Sequence, residues 1–527
     1  MQDVRQIRYR GSITVFAALA IMLVAQLLFT LIEGARRTEF KKVIQMNTES
    51  VLESVFTDYC SPLWEEYHLL GLTAANSDGE ISFNNRSAQM QKLTQENLGD
   101  HYKKELLSGI SLFHADMEDV EIRSYLLMTD GGGKVFEQAV SAYMKENLAF
   151  ELAKGIYNNY ESIKDSQDQF GDVGEKIGGA LDALEDAKKE SEVSSKGKKL
   201  RMRKASAESR VPVQSVKAAT LSDTEKNADN PLTIVSDAQK SGVLSMVLPD
   251  EAHLSGAAFT TEKRVSKRTL MQGTAEIPVE EDWYDKTLFT QYVCNYLSSY
   301  TVPISDHALQ YEMEYLIGGK DNDADNLRVT VDRLLLLREG LNMASLMAMP
   351  DKQSEAMALA VTLAGATVNP AIIEAVKYGI LAAWAYVESV LDVRTLLDGG
   401  KISLVKGETT WTSTIENFPT LLSGWSKAKS CEGGGLNYKQ YGASLLLFES
   451  GNTLAMRAMD VEEATIRMID GYESFRMDHV VCEMGVQATY EYHPVFMVFV
   501  TMIRDSRDAD RIMYYTNYSY FKGKEDV

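Results

Sequence analysis

With 527 residues, 45% of them apolar, and 17 Phe, 25 Tyr and 5 Trp, the chain can bury roughly two or three domain cores and is not a disordered tether. A formal net charge of -21 argues against a nucleic-acid partner, whose phosphates most of this surface would repel. The four cysteines, Cys60, Cys294, Cys431 and Cys482, are widely separated and form no C-x-x-C, which excludes a closely spaced zinc or redox pair and leaves free thiols as the default.

A basic leader, 1–11, carries Arg5, Arg8 and Arg10 and precedes an apolar run. From Ser12 to Ile32 there is no charge, and at 1.5 Å per residue the run covers about 30 Å, the thickness of a bilayer's hydrocarbon core. A cleavable signal is shorter and ends in a small-x-small site, whereas this run ends in Leu31-Ile32-Glu33-Gly34-Ala35-Arg36-Arg37. Residues 12–33 are therefore expected to be a retained transmembrane anchor, contacting lipid through Ile13, Phe16, Leu19, Leu23, Leu27, Leu28, Leu31 and Ile32. Arg36, Arg37, Lys41 and Lys42 nearly balance the leader's charges, so the positive-inside rule does not decide; the short basic leader fits a cytoplasmic N-terminus with the body outside, and the opposite orientation is the alternative.

The helical pattern continues through a juxtamembrane stalk, 34–60, in which Phe40, Val43, Ile44, Val51, Leu52, Val55, Phe56 and Tyr59 recur at three- and four-residue steps. An almost continuous helix from Ile13 to Tyr59 would extend roughly 70 Å. Packing of its apolar stripe on the chain's own domain is favoured over packing on a neighbouring subunit.

Residues 61–160 read as a first helical module with one strand-turn-helix unit, a strand over Ile122–Met128 entering Asp130-Gly131-Gly132-Gly133-Lys134. This spacing fails the phosphate-loop pattern, so a glycine turn into a helix start is expected. Residues 161–228 form a charged linker or insert, and its basic cluster, Lys196, Lys198, Lys199, Arg201, Arg203 and Lys204, is expected to be a solvated charge run and not a polymer-binding patch. The main α+β domain, 229–527, contains two buried core helices separated at Asn369-Pro370, a short strand in GGKISLVKGETTW, and helices over Tyr438–Glu449 and Leu454–Ile469. Near the end of the chain, DHVVCEMGVQATYEYHP, VFMVFVTMI and DRIMYYTNYSYF read as a three-stranded antiparallel meander. The expected fold class is thus α+β, predominantly helical.

Chemical signatures are sparse. The seven histidines form no H-E-x-x-H, and no G-x-S-x-G elbow occurs, so no catalytic or cofactor-binding residue and no cofactor is assigned. Asp321, Asp323, Asp325 and Asp332 have the spacing of calcium ligands in an EF-hand loop, but Asn326 replaces the turn glycine and Asp332 the bidentate glutamate. Capping of a helix that begins near Asn326 is the favoured reading of this acidic run. Glu388 and Asp392, one turn apart on an apolar helix, suggest an acid/base pair, against which a structural network with Arg394 and Lys377 is favoured.

Several stretches carry a resemblance: RGSITVFAALAIMLVAQLLFTLIEGARR, PLWEEYHLLGL, NPLTIVSDAQKSGVLSMVLPD, YEMEYLIGGKDNDADNLRVTVDRLLLLREGLN, AAWAYVESVLDVRTLLDGGKISLVKGETTW and GLNYKQYGASLLLFES. In these the chain resembles an uncharacterised membrane-anchored family of clostridia-type Gram-positive bacteria whose genes often lie beside Tad (Flp) pilus genes. More distantly, the N-terminus resembles TadE-like minor pilins, in which a glutamate stands five residues after the leader glycine. Counting from Gly11, Phe16 occupies that position, a departure that bears on leader cleavage and filament incorporation. The resemblance implies a non-enzymatic envelope protein, a pilin-like or accessory component of a Tad-type pilus or secretion apparatus, with the lipid bilayer and other envelope proteins as partners. The alternatives are a membrane-anchored enzyme acting on envelope polymers and an extracytoplasmic ligand-binding sensor.

Overall fold

A computed structural model of the chain describes residues 3–74, 82–99, 115–147, 153–165, 230–248, 254–259, 264–277, 283–364, 370–431, 433–494, 496 and 511–521. The charged insert lies outside these residues from 166 to 229, as does VFMVFVTMI apart from Phe496. The sequence modules follow chain order, but the compact units do not. One comprises Met1–Ala139, Thr269–Val279 and Ser474–Val527, the other Val140–Arg268 and Glu280–Glu473.

The first unit is built on α1 (Asp3–Phe56), a single helix that realises the expected continuity of anchor and stalk. No proline interrupts it, and its two glycines, Gly11 and Gly34, stand far apart. Pro62 near the start of α2 (Ser61–Tyr67) marks the next helix. Beyond α3 (Asn84–Gly99), an antiparallel sheet is assembled from β1 (Leu72–Thr73), β2 (Ala115–Leu127), β3 (Val480–Tyr492) and β4 (Arg511–Ser519). β3 is central, with β2 on one side and β1 and β4 on the other; Met484 pairs with Tyr125 and Tyr518, and Glu491 with Asp116 and Arg511.

Two sequence expectations are corrected here, the first being the meander of three consecutive strands near the end of the chain: β3 pairs directly with β4 on one side and with β2, from far upstream, on the other. The strand expected at Ile122–Met128 begins earlier, at Ala115, and it supplies the second long partner of β3. Strand identity was readable from local alternation, but this pairing joins residues more than 350 positions apart, about which a local pattern carries no information.

Alternation along β3 turns Met484, Val486, Ala488, Tyr490 and Tyr492 toward the helical side of the sheet. There they meet the stalk half of α1, whose Phe40, Ile44, Val51, Leu52, Val55 and Phe56 are all buried. The Tyr490 hydroxyl lies 2.8 Å from that of Thr48, and the Phe56 ring packs 4.7 Å from Tyr518 and 4.9 Å from Tyr520. The stalk stripe is thus covered by its own chain. Each such side chain contributes roughly 1.5–3 kcal/mol when fully buried, so this half of α1 is an integral part of the unit.

The second unit begins inside α4 (Asp130–Asn147), at Val140, and continues through α5 (Pro231–Ala238), α6 (Val243–Val247), α7 (Trp283–Tyr296), α8 (Glu312–Gly318), α9 (Asp323–Met347), α10 (Pro350–Ala364), α11 (Pro370–Leu397), α12 (Phe418–Ser423), α13 (Tyr438–Leu447) and α14 (Gly451–Ile466). The turn preceding α4 proper has positive φ at Gly131, Gly132 and Gly133, a left-handed path that explains the three glycines. α10 and α11 are the two helices expected on either side of Asn369-Pro370, but α10 is not the buried core helix expected there: Ala356 and Ala360 are its buried residues among those described, and Val361 is exposed. α11 is buried along nearly its whole length from Ala375 to Leu397, and α9 and α10 pack against it. The strand expected in GGKISLVKGETTW is instead a loop with one isolated bridge, between Ile402 and Leu436, and Lys406 within it is buried.

Candidate functional site

The residues assigned to lipid contact are not covered by the rest of the chain. Ile13, Phe16, Leu19, Leu23, Leu27, Leu28, Leu31 and Ile32 are all exposed, Phe16 by 74%. Among the described residues α1 is the one helix long and apolar enough to cross a membrane, and none of its most apolar window is buried by the rest of the chain.

The first charge after this run is not a solvated end marker. Glu33 and Arg36 are both buried: Arg36 donates from Nη1 to Glu33 Oε1 at 2.8 Å and to the Tyr492 hydroxyl at 3.2 Å. The Tyr492 hydroxyl in turn donates to Glu33 Oε1, the backbone N–H of Phe496 donates to Glu33 Oε2 at 2.9 Å, and the Arg36 guanidinium lies 4.9 Å from the centre of the Tyr492 ring. A carboxylate leaving water this way needs such partners, since an unpaired buried charge is costly. One signal was in the sequence, an Arg three residues after a Glu at the end of the apolar run, but its aromatic partner came from 456 residues away.

The acidic run after α8 does not bring its four carboxylates together. α9 starts at Asp323, three residues before the expected position, with Asn322 as its N-cap accepting from the Asp325 N–H at 2.8 Å. Helix geometry then carries Asp332 about 14 Å along the axis from Asp323, too far to close a calcium loop. Asp321 is bound by Arg264, which holds its carboxyl below the usual range, and by Lys267 at 3.4 Å. Asp323, fully buried, accepts from Ser255 Oγ at 2.6 Å and from the backbone N–H groups of Gln310 and Tyr311; burial nevertheless leaves its carboxyl raised. Asp325 faces Arg328 at 3.2 Å. Among the described residues no group of three or more His, Cys, Asp or Glu is placed to hold a metal ion.

Glu388 and Asp392 are sealed in the core, each with no exposed surface, but not with the partners expected from sequence. Lys406, from the loop after α11, donates to Glu388 Oε1 and to Asp392 Oδ1 at 2.5 Å. Arg338 of α9 donates from Nε to Asp392 Oδ2 at 3.0 Å, and from Nη1 to the Tyr441 hydroxyl at 2.8 Å and the Ser403 carbonyl at 2.9 Å. Ser413 satisfies Glu388 Oε2 through its N–H at 2.8 Å and its hydroxyl at 2.6 Å. Burial pushes the Asp392 carboxyl up, but Arg338 and Lys406 outweigh it and leave the group below its ordinary value. Two cations and two anions, tied to the loop backbone, form a structural lock and not a proton-transfer dyad.

The expected cations go elsewhere. Arg394 donates to the carbonyls of Met246, Leu421, Leu422, Gly424 and Ser426, and Lys377 to Gln353 Oε1 at 3.4 Å. Arg338 had a signal: it continues the buried stripe Leu327, Val331, Leu334, Leu341 at helical spacing. Lys406 had none, because its burial depends on how a loop returns to the core. All four cysteines are free thiols, and burial raises that of Cys294 to about 12.

No curated protein and no solved structure matches the chain. A sequence-family match covers residues 222–492, more than half of the chain, and on this basis the chain belongs to the family of unknown function DUF5702.

Proposed function

We propose that this protein is a non-enzymatic, single-pass cell-envelope component, N-terminus in the cytoplasm and body outside, serving as an accessory part of a Tad-type pilus or secretion apparatus. The observation that carries this reading is the division of α1: an uncovered apolar segment of bilayer length, then a stalk covered by the chain's own sheet. In a filament subunit the stalk stripe would be available to neighbouring helices. Here its apolar residues are already used, which favours an accessory role over a structural pilin. The pilus context rests on the sequence resemblance. The non-enzymatic reading is supported by the fate of Glu388 and Asp392, the one acid/base pair the sequence suggested, both bound by buried cations.

Deletion of the gene in its host is expected to reduce surface piliation and adhesion; unchanged piliation would remove the pilus reading. Separately, the protein should stay with the membrane pellet through alkaline carbonate extraction. Val405 is exposed by 67%, and in the Val405→Cys variant a membrane-impermeant thiol reagent should label intact cells if the body lies outside.

A further inference from the structure

We propose that the protein touches the bilayer at a second place, where β3 leaves the sheet: Phe496, held against Phe29 of α1, enters the lipid interface as an apolar wedge. This rests on the reading of residues 12–33 as a membrane span. The geometry begins with direction. β3 runs antiparallel to α1, its first residues packing with Val51–Phe56 and its last, Tyr492, against Phe40 at 4.9 Å and Arg36. The strand therefore points at the apolar run. β4 re-enters the sheet at Arg511 opposite Glu491, so the β3–β4 connection leaves and returns at that same end.

The described part of this connection crosses the charge boundary. Phe496 donates its backbone N–H to Glu33, the first charged residue after the apolar run, while its ring stacks on Phe29 with centroids 5.8 Å apart and planes 15° apart. Phe29 stands four residues before Glu33, about 6 Å deeper along the helix axis. That is within the depth, about 5–10 Å, at which interfacial segments seat their apolar face. Phe29 remains 46% exposed with Phe496 stacked on it, so the pair offers lipid a shared apolar surface.

Tyr492 and the buried Glu33–Arg36 pair satisfy one another at the level of the headgroups, where aromatic residues with a polar tip are favoured. The sequence around Phe496 agrees. From Val495 to Ile503 it carries no charge, and it is bounded by Pro494 and Arg504-Asp505.

The test uses the full chain in phosphatidylcholine–phosphatidylglycerol vesicles whose acyl chains are brominated. Tryptophan fluorescence is read in Phe29→Trp and Phe496→Trp variants after subtracting the parent chain. Quenching at both positions to a comparable extent is the expected result. Quenching at 29 with none at 496 overturns the second contact and leaves the anchor standing; no quenching at either overturns both. Should Phe496→Trp disturb folding, a hydrophobic carbene reagent dissolved in the vesicles decides on the unaltered chain. Label on the fragment carrying Phe496 as well as on α1 supports the wedge, and label confined to α1 overturns it.

Discussion

The helical body buries carboxylates in two ways. Glu388 and Asp392 on α11 face Lys406 and Arg338, and Asp392 lies below its ordinary pKa. Glu314 on α8 and Glu462 on α14 are equally inaccessible but are met mainly by neutral donors. The hydroxyl of Tyr438 donates to Glu314 Oε1 at 2.6 Å and the Tyr300 N–H at 2.9 Å, while Tyr292 donates to Glu462 Oε1 at 3.1 Å. Their Oε2 atoms meet no donor among the described residues. Burial pushes Glu314 up to about 7 and Glu462 well above its ordinary value, with nearby Asp323 and Glu312 adding to the rise respectively. Burial alone therefore does not determine the state of a carboxylate here. A cation within hydrogen-bond reach keeps it ionised; without one it holds its proton toward neutrality.

The largest effect should come from removing a cation from the paired region. Lys406→Met leaves Glu388 and Asp392 with Arg338 alone, an uncompensated buried negative charge expected to cost about 3–5 kcal/mol. Urea unfolding of the full chain in detergent, followed by the fluorescence of Trp384 and Trp411, reads this directly, because Trp384 donates to Ser413 Oγ at 3.0 Å beside Glu388. Adding Glu388→Gln should recover part of the loss, since the charges balance again. A double variant as unstable as the sum of the two singles would break the description of these groups as one network.

Next in size is a pH response of opposite sign in the two regions. The folded-state carboxyl of Glu314 lies at about 7 against an ordinary 4.5, so its stabilisation is complete below about pH 4.5 and is lost as pH rises through 7. That of Asp392, lowered in the folded state, is present above the ordinary carboxylate range and lost as pH falls through the folded value. After correction for the base-catalysed intrinsic rate, the protection of α8 amides against hydrogen exchange should fall between about pH 4.5 and about 7, and Glu314→Gln should flatten that fall by removing the titrating group. An unchanged profile in the variant would assign the response to another group.

The contrast also shows what a sequence discloses. The continuity of α1 was legible, because bilayer-length apolarity and helical periodicity are properties of contiguous residues, but its ends were not: the helix starts at Asp3 and not Ile13, and stops at Phe56 and not Tyr59. α10 and α11 were legible as helices, and the burial of Glu388 and Asp392 followed from the apolar residues around them. Their cations were not legible. Arg394 and Lys377 were close in sequence, but Arg394 lies among the carbonyls of the α12 region and Lys377 beside Gln353. Lys406 reaches the carboxylates from a loop that the sequence presented as a strand. The neutral pair was invisible for the same reason, since whether Glu314 meets a lysine or a tyrosine depends on which helix packs beside α8.

The smallest expected effect tests that distinction most sharply. Lys377 lies on the same helix as Glu388 and was their expected partner, yet its amine reaches only Gln353 at 3.4 Å and lies 5.6 Å from the centre of the Tyr378 ring. A weak hydrogen bond and a partly solvated cation–π contact contribute together no more than about 1 kcal/mol. Lys377→Ala should therefore shift the urea transition several-fold less than Lys406→Met, although both remove one lysine charge from the same part of the unit. Equal losses would mean that Glu388 and Asp392 respond to net positive charge around α11 and not to the cation they touch. A small loss ties the lowered carboxyl of Asp392 to the cations it touches, and with it the separation between the paired and the unpaired carboxylates.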